Sequence, residues 1–515
     1  MIITNNLKSY FLSRYNLNKL SKQKYDEAII ILIKIYKENF NNLSDEFLRL
    51  TLGRSIGIIL DNIIFSNYSN FIFNEKKIFL AKSTSDLFFT TDQRMTLHNI
   101  NYLSNKYDKE KIEINFQIIE KKENKNNNFK FLLANRLFNI FKKKVFFDFA
   151  NIKLYLNFVK KGQSPQYLIK DEYFFNTESK LNEHLRAQLF EKSKTIYKSN
   201  VNMFKYISIK DLYLIFSLMP LNLVENFSQI YFKTQKKADK NVTKIILTQM
   251  MNSDQLNFWV ANQKLKFKSS IEIVQHGAGY FFVNYDNNFE YEMSISDRFY
   301  SWTNPRLIKT ETKDLKQIAL TKTIKKNKNY KNDILLISSD WQYFLRFASA
   351  PTATLIERNW KEQIKFIRNI NFTKKIKIKN PNYYYDDSEE KKKHFYQLKK
   401  YMSNENLYNL VENSKITLCS YIGTPFFELM SNDIPFLTFS RMSDNLFSVD
   451  AKIYLKKLKT FGFLHYSGKS ASDYINNNYE NILNIWDDKA FIEFRNEFRE
   501  NFCLSPKNWQ KKFLD

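Results

Sequence analysis

Twice along the chain, short apolar runs of strand length alternate with helical stretches, and that alternation leaves few folds open. In the first run, residues 243–248 and 271–275 read as strands with a helix over 254–267 between them. In the second, strands over 333–338, 375–379, 414–420 and 434–439 are interleaved with helices over 353–371, 406–413 and 424–432. Near-continuous apolar strands of this kind are those of a parallel sheet covered on both faces. The expected fold class is therefore α/β, with two Rossmann-like lobes. Residues 1–110 contain no proline and show apolar residues at helical spacing over 28–36 and 47–65, so the N-terminal region is expected to be mainly helical. The residues over 144–149 and 152–158 have the length and composition of strands. The polar, basic stretch 321–332 reads as the linker. This places the first lobe at 111–320 and the second at 333–515, with C-terminal helices from 470 onward.

Composition narrows the class further. Hydrophobic residues make up 43% of the chain and aromatics 17%, which provides for large cores. The 8 glycines and 8 prolines are too few for a design built on tight turns, so each marks a place where the backbone needs it. Lys and Arg number 80 against 53 Asp and Glu, a net charge of +27 that suits an anionic partner or an anionic membrane surface. The lysines are scattered, and no helix-turn-helix, zinc-finger or RNP pattern accompanies them, so no specific nucleic-acid partner is expected. Two cysteines, Cys419 and Cys503, form no framework and fit a reducing compartment. The first residues lack a signal-peptide pattern, and the most apolar window, 212–224, is broken by Ser217, Pro220 and Asn222. A cytoplasmic protein, peripheral at the inner face of the plasma membrane, is the expectation.

Four constellations sit where the alternation puts strand carboxyl ends, the place where open α/β sheets bind ligands. The first is Gln275-His276-Gly277-Ala278-Gly279-Tyr280. Gly277 and Gly279 permit close approach of a phosphate or sugar, and His276 is placed to act as a base. The second runs from Glu290 to Trp302, where Glu290, Glu292 or Asp297 could orient His276 or act as base themselves, with a strand over 294–302. The third is Lys377 and Lys379, lysines leaving a strand that could pair with a diphosphate. In the fourth, Gly423 makes a turn, Thr424 can cap a helix and Pro425 fits its first turn. The free N–H groups of that helix suit a phosphate, and Glu428, one turn inside, could accept hydrogen bonds from ribose or sugar hydroxyls. No Asp-x-Asp pair stands at a strand end, so neither a metal nor an organic cofactor is expected.

Taken together the first, second and fourth of these stretches, with Phe47-Leu48-Arg49-Leu50-Thr51-Leu52-Gly53-Arg54, Thr96-Leu97-His98-Asn99, Asn432-Asp433-Ile434-Pro435 and Gly462-Phe463-Leu464-His465, resemble a family of bacterial transferases encoded in O-antigen and other surface-polysaccharide gene clusters. More distantly they are similar to capsule polysaccharide, Kdo-type and glycerophosphate transferases of GT-B architecture. The resemblance implies a glycosyltransferase-like enzyme. A nucleotide-activated sugar donor would sit on the C-terminal lobe, with a glycan or lipid-linked acceptor on the N-terminal lobe. Transfer of a glycerophosphate or phosphosugar on the same fold, an inactive scaffold, and a basic nucleic-acid-binding protein remain as alternatives.

Overall fold

A computed structural model describes residues 2–40, 42–72, 77–81, 110–114, 116–117, 133, 135–149, 152–168, 180–248, 254–277, 280–283, 287–308, 314–320, 322–327, 329–338, 353–371, 375–379, 385–386, 396–440, 447–505 and 513. The chain opens with two long helices, α1 (Ile2–Asn39) and α2 (Asp45–Ile72). Ile29, Ile31, Leu32 and Ile35 of α1 are fully buried, as are Leu48, Leu50, Leu52, Ile56 and Ile59 of α2. A helix apolar on all sides is one covered on all sides. The region is not wholly helical, however: β1 (Lys77–Ala81) pairs in parallel with β2 (Glu110–Ile114). A two-residue strand, β3 (Phe116–Gln117), comes next.

The first α/β unit runs through β4 (Lys144–Phe147), α3 (Ile152–Lys160), β5 (Ser164–Tyr167), α4 (Glu183–Ser199), α5 (Ile209–Leu218) and α6 (Phe227–Lys236). It continues with β6 (Val242–Leu247), α7 (Asp254–Phe267), β7 (Ser270–Val274), α8 (Asn287–Ile295), β8 (Arg298–Ser301) and β9 (Asp314–Gln317). All six strands are parallel, in the order β5-β4-β6-β7-β8-β9. Two expectations are corrected here. Residues 152–158 form a helix, because Leu154, Tyr155 and Phe158 bury one helical stripe. Only the second half of 294–302 is a strand; Ser294 and Ile295 close α8.

The sheet's two faces belong to different cores. Ile245, Leu247, Ile271, Ile273 and Phe299 pack with the N-terminal helices, while Ile246, Val274 and Tyr300 pack into the cluster that continues into the second unit. This is the period of two that a strand imposes. Helix α7, whose residues from Asp254 to Gln263 are all buried, lies against β6 and β7 on one side and α2 and α6 on the other.

The second unit comprises β10 (Asn332–Ile337), α9 (Ala353–Asn369), β11 (Ile376–Lys379), β12 (Tyr385–Asp386), α10 (Leu407–Glu412), β13 (Ser414–Cys419), α11 (Thr424–Ser431) and β14 (Phe436–Phe439). After these come α12 (Val449–Thr460), β15 (Leu464–His465), α13 (Gly468–Asn478), α14 (Ile482–Trp486) and α15 (Lys489–Phe502). Its sheet is again all parallel, in the order β11-β10-β13-β14-β15, while β12 pairs antiparallel with β3. The expected two-lobed α/β architecture is thus present. Residues 322–327 of the expected linker pack on the second unit. Ile324 N–H donates to Asn432 Oδ1, and Lys326 Nζ donates to the Lys415 carbonyl at 2.8 Å. Burial pulls the Lys326 ammonium down to about 7. Helix α15 reaches back to the first unit, its Asn501 carbonyl accepting from Asn304 N–H at 2.7 Å and its Glu500 carbonyl from the Gln317 amide at 2.7 Å. Cys419 and Cys503 are both buried free thiols. No helix among the described residues is long and apolar enough to cross a membrane.

Candidate active site

Strand β7 ends at Val274, and Gln275 anchors the loop beyond it. Its buried side chain donates to the Gly277 carbonyl at 2.8 Å and accepts from Trp302 N–H at 2.9 Å and Ser301 Oγ at 3.2 Å. One amide therefore ties the loop to the end of the neighbouring strand. His276 is exposed just beyond. Its Nδ1 lies 2.8 Å from the Tyr280 hydroxyl, which in turn donates to Glu292 Oε2 at 2.7 Å. Tyr280 is almost fully buried and Glu292 entirely so. A phenol has one proton, and a carboxylate can only accept, so Tyr280 donates to Glu292 and accepts from Nδ1–H of His276. That tautomer, inferred from the hydrogen bonds, leaves Nε2 as the basic nitrogen. The arrangement is a base oriented by a second group that is oriented by a third.

The other acids expected near His276 are elsewhere. Glu290 is on α8 with Glu292, but two residues is roughly 200° of helix rotation, and its carboxylate pairs with Lys22 Nζ at 2.9 Å. Asp297 stands at the amino end of the sheet, accepting from Ile271 N–H at 2.8 Å and pairing with Lys264 at 2.6 Å. His276 lies five residues further along the adjacent strand direction, about 16 Å away at ~3.3 Å per residue, so Asp297 ties strands together rather than serving the imidazole. Gly279, like Thr96 to Asn99, lies outside the described residues.

Across from this loop is the start of α11. Gly423 is its N-cap and, being glycine, offers no side chain to cap the helix. Thr424, expected as a capping residue, is instead its first member. A Cβ on Gly423 would fall 2.2 Å from the Tyr421 ring, so any larger residue would have to displace that ring. Buried Phe426 and Phe427 fix the helix, their rings lying 5.1 Å from Phe436 and 6.3 Å from Phe498. A Cβ built on Gly277 would sit 3.7 Å from Thr424 Oγ1. The His276 loop and the glycine-capped helix terminus, about 150 residues apart in sequence, are therefore in contact range across the two units. Phe282 clamps them: its ring lies 4.9 Å from Phe427, 5.6 Å from Phe447 and 5.0 Å from Phe502, and its carbonyl accepts from Ser448 N–H at 3.0 Å.

Beneath α11 the carboxyl ends of β10 and β13 are joined by a buried network the sequence did not reveal. Gln363 of α9 accepts from Ser338 Oγ at 2.8 Å and donates to Asn359 Oδ1 at 2.7 Å, and Asn359 donates to the Ser420 carbonyl. Lys379 is at this edge, aligned with Ile337, whereas Lys377 is two residues back, aligned with Leu335. Glu428 is turned toward α10, its Oε1 accepting from the Tyr408 hydroxyl at 3.1 Å. Burial raises its pKa, against that hydrogen bond and the Lys322 charge. Lys322 Nζ itself lies 3.8 Å from the Tyr408 ring centroid. His465 ends β15 at the same edge of the sheet, with Nδ1 3.0 Å from Ser470 Oγ. The signals that pointed to the two loops were glycines at strand ends. Tyr280 and Gln363 carried no such marker.

The model of the LIC12162 family of transferases matches residues 17–515. Among curated proteins none matches the sequence. Solved structures to which the chain is similar include the GtfA/B complex, at 10% identity and a TM-score of 0.27 over 52% of this chain and 60% of that chain. This chain thus spans less than two thirds of that neighbour's length. A mutant O-GlcNAc transferase of Thermobaculum terrenum is similar at 8% identity and a TM-score of 0.33 over 99% of this chain and 95% of that one. MurG of Acinetobacter baumannii is similar at 10% identity and a TM-score of 0.33 over 72% and 98%.

Proposed function

This chain belongs to the LIC12162 family of transferases, and we propose that it transfers a sugar from a nucleotide-activated donor to a hydroxyl of a glycan or lipid-linked acceptor in bacterial surface-polysaccharide synthesis. The observation that carries the reading is the approach of the His276 loop to the start of α11, 3.7 Å between a Cβ at Gly277 and Thr424 Oγ1. A base and a helix terminus able to meet an anion, brought close to one another, are the two groups such a transfer needs. The acceptor oxygen forms a bond to the anomeric carbon as the bond from that carbon to the diphosphate oxygen breaks. The hydroxyl proton passes to His276 Nε2, and the electron pair of the broken bond stays on the diphosphate. Its developing charge is met by the N–H groups of α11 and by Lys379. Gly277, which carries no side chain at this approach, leaves room for the diphosphate, Gly423 makes the turn into α11, and Glu428 takes a ribose hydroxyl on lone pairs not used by Tyr408.

The test is a thermal-shift screen of the whole protein against CDP-, UDP-, GDP- and CMP-linked sugars. At a hundredfold excess over Kd a single-site ligand stabilises by about 2.7 kcal/mol, so at least one class should raise Tm by several degrees. A flat response across all four classes would sink the reading.

A further inference from the structure

One loop of the first unit turns apolar side chains outward. Helix α4 is followed by a single 3-10 turn, Val201–Met203, and then by Phe204 to Ile207. Phe204 and Ile207 are buried, whereas Val201, Met203 and Tyr206 are 54%, 61% and 42% exposed. The backbone that presents them is fixed. Glu27 of α1, itself buried, accepts from the N–H groups of Lys205, Tyr206 and Ile207 at 2.8, 2.9 and 2.8 Å. Phe204 stacks on Tyr197 with ring centroids 5.9 Å apart, and Ser208 caps α5 just beyond. Side chains held out in this way cannot fold back from water, and a cluster of exposed apolar groups marks a contact surface.

The charge around the loop has one sign. Residues 192–224 hold five lysines and one acid, Asp211, whose carboxylate accepts from Lys24 and Ser208. Lys192 and Lys194 are paired with Glu38 and Glu191. Lys198, Lys205 and Lys210 are exposed and form no ion pair among the described residues. Apolar tips flanked by cations match a bilayer with anionic headgroups: the tips enter the headgroup boundary while the ammonium groups stay at its surface. A protein partner fits less well, because a stable interface covers roughly 800 Å² and about 20–30 residues on each side, and this tip is six residues long. The loop also points toward the end of the molecule that carries the base. Glu46, at the start of α2, pairs with Lys264, which also pairs with Asp297 at the amino end of the first sheet. Helix α2 therefore rises from that end and α1 runs down to it, with Lys37 against Asp45 and Ser21 against Asp61. Lys192 of α4 stands beside Glu38 at the foot of α1. Glu27 is eleven residues back along α1, ~16 Å higher at about 1.5 Å per residue. The loop it holds is displaced toward the carboxyl ends of the strands, where His276 stands.

We propose that the 201–206 loop docks this protein on an anionic lipid bilayer, Val201, Met203 and Tyr206 entering the headgroup boundary and Lys198, Lys205 and Lys210 meeting the lipid phosphates. Resting on the transfer reading, it deepens it: the acceptor is of the lipid-linked kind, delivered from the surface on which the end of the molecule carrying His276 is held. An apolar and an electrostatic signal, each modest, together give reversible attachment.

The experiment measures cosedimentation of the whole protein with vesicles of one part phosphatidylglycerol to two parts phosphatidylcholine, and with vesicles of phosphatidylcholine alone. Wild type should partition at least tenfold more strongly onto the anionic vesicles. Val201→Ser combined with Met203→Ser should weaken that binding at least tenfold with Tm unchanged, since both side chains are exposed. A lysine near an anionic surface is worth roughly fivefold, so Lys198→Gln, Lys205→Gln and Lys210→Gln together should weaken it about a hundredfold. Removing the same charge from the second unit, by Lys361→Gln, Lys399→Gln and Lys489→Gln, should weaken it less than tenfold. No preference for anionic vesicles, binding untouched by the Val201 and Met203 substitutions, or an equal loss from the two lysine sets overturns the docking. So does a concentration-dependent dimer in place of vesicle binding, abolished by the same Val201 and Met203 substitutions, which would make the loop a contact between copies. The nucleotide-sugar thermal shift is followed in parallel: a flat response would defeat the transfer reading while leaving vesicle binding standing, and lost vesicle binding with an intact response would defeat the docking alone.

Discussion

Each side chain of the His276 relay does one job, and substitution should separate them. His276 is exposed, so His276→Ala removes little packing. Transfer should fall by about 10²- to 10⁴-fold, the usual range for a general base, with Tm nearly unchanged. Tyr280→Phe keeps the ring but removes the hydroxyl between Nδ1 and Glu292. It takes a hydrogen bond away from a fully buried carboxylate, costing about 1–3 kcal/mol, and lets the imidazole adopt either tautomer. Activity should drop and the acidic limb of its pH profile, where the base becomes protonated, should move, whereas a purely structural Tyr280 would lower stability and leave the profile in place. Glu428 is a milder case, because Tyr408 already uses part of its accepting capacity. Glu428→Gln should weaken donor binding roughly tenfold, the lower end for a charge-assisted hydrogen bond. Calorimetry with the best-binding nucleotide sugar reads this directly, and unaltered affinity would remove Glu428 from the donor side.

Among the elements, β15 and α13 carry a titration. Burial lowers the His465 pKa, the Gly462 backbone acting in the opposite direction. In the unfolded chain the group titrates near 6.5. Between the two values the unfolded state binds a proton that the folded state does not, so stability falls as pH drops below about 6.5 and levels off under the folded pKa. Urea midpoints measured from pH 7.5 to 5.5 should show this fall, and His465→Gln should flatten it. An identical fall in that variant would assign the effect to other groups. Element by element, the sequence was most readable where strands are buried on both faces. Ile245 to Leu247 and Ile334 to Leu336 are uninterrupted apolar runs with no exposure at all. It misled at 152–158, because a short stretch rich in aromatic and branched residues has strand composition whether its stripe repeats every two or every 3.6 residues. The two loops of the candidate site stood out because glycine is scarce and each stood at a strand end. Their supports, Tyr280, Gln275 and Gln363, were not. A hydrogen bond between distant residues leaves no period behind, and a buried glutamine looks in sequence like any other.

For the molecule as a whole, the +27 charge is the property most open to misreading. Several of its cations are paired internally: Arg186 with buried Glu225, and Lys264 with both Glu46 and Asp297. Retention on duplex DNA should therefore be weak, indifferent to sequence and lost as salt rises from about 50 to 200 mM, because phosphate contacts exchange with counterions. Sequence-selective retention that survives this rise would reopen the nucleic-acid reading. Such bulk attraction is independent of how the two sheets meet, and there Phe282 has the larger effect. Its ring is lodged among Phe427, Phe447, Phe498 and Phe502 of the opposite unit. A rotation that parts the units has to withdraw this ring, and it draws His276, six residues back along the same loop, away from α11. Phe282 thus acts as a safety catch. Under the transfer proposed above, opening to exchange substrates and disarming the base would be a single motion, so a donor held in the open molecule would be protected from being squandered on water.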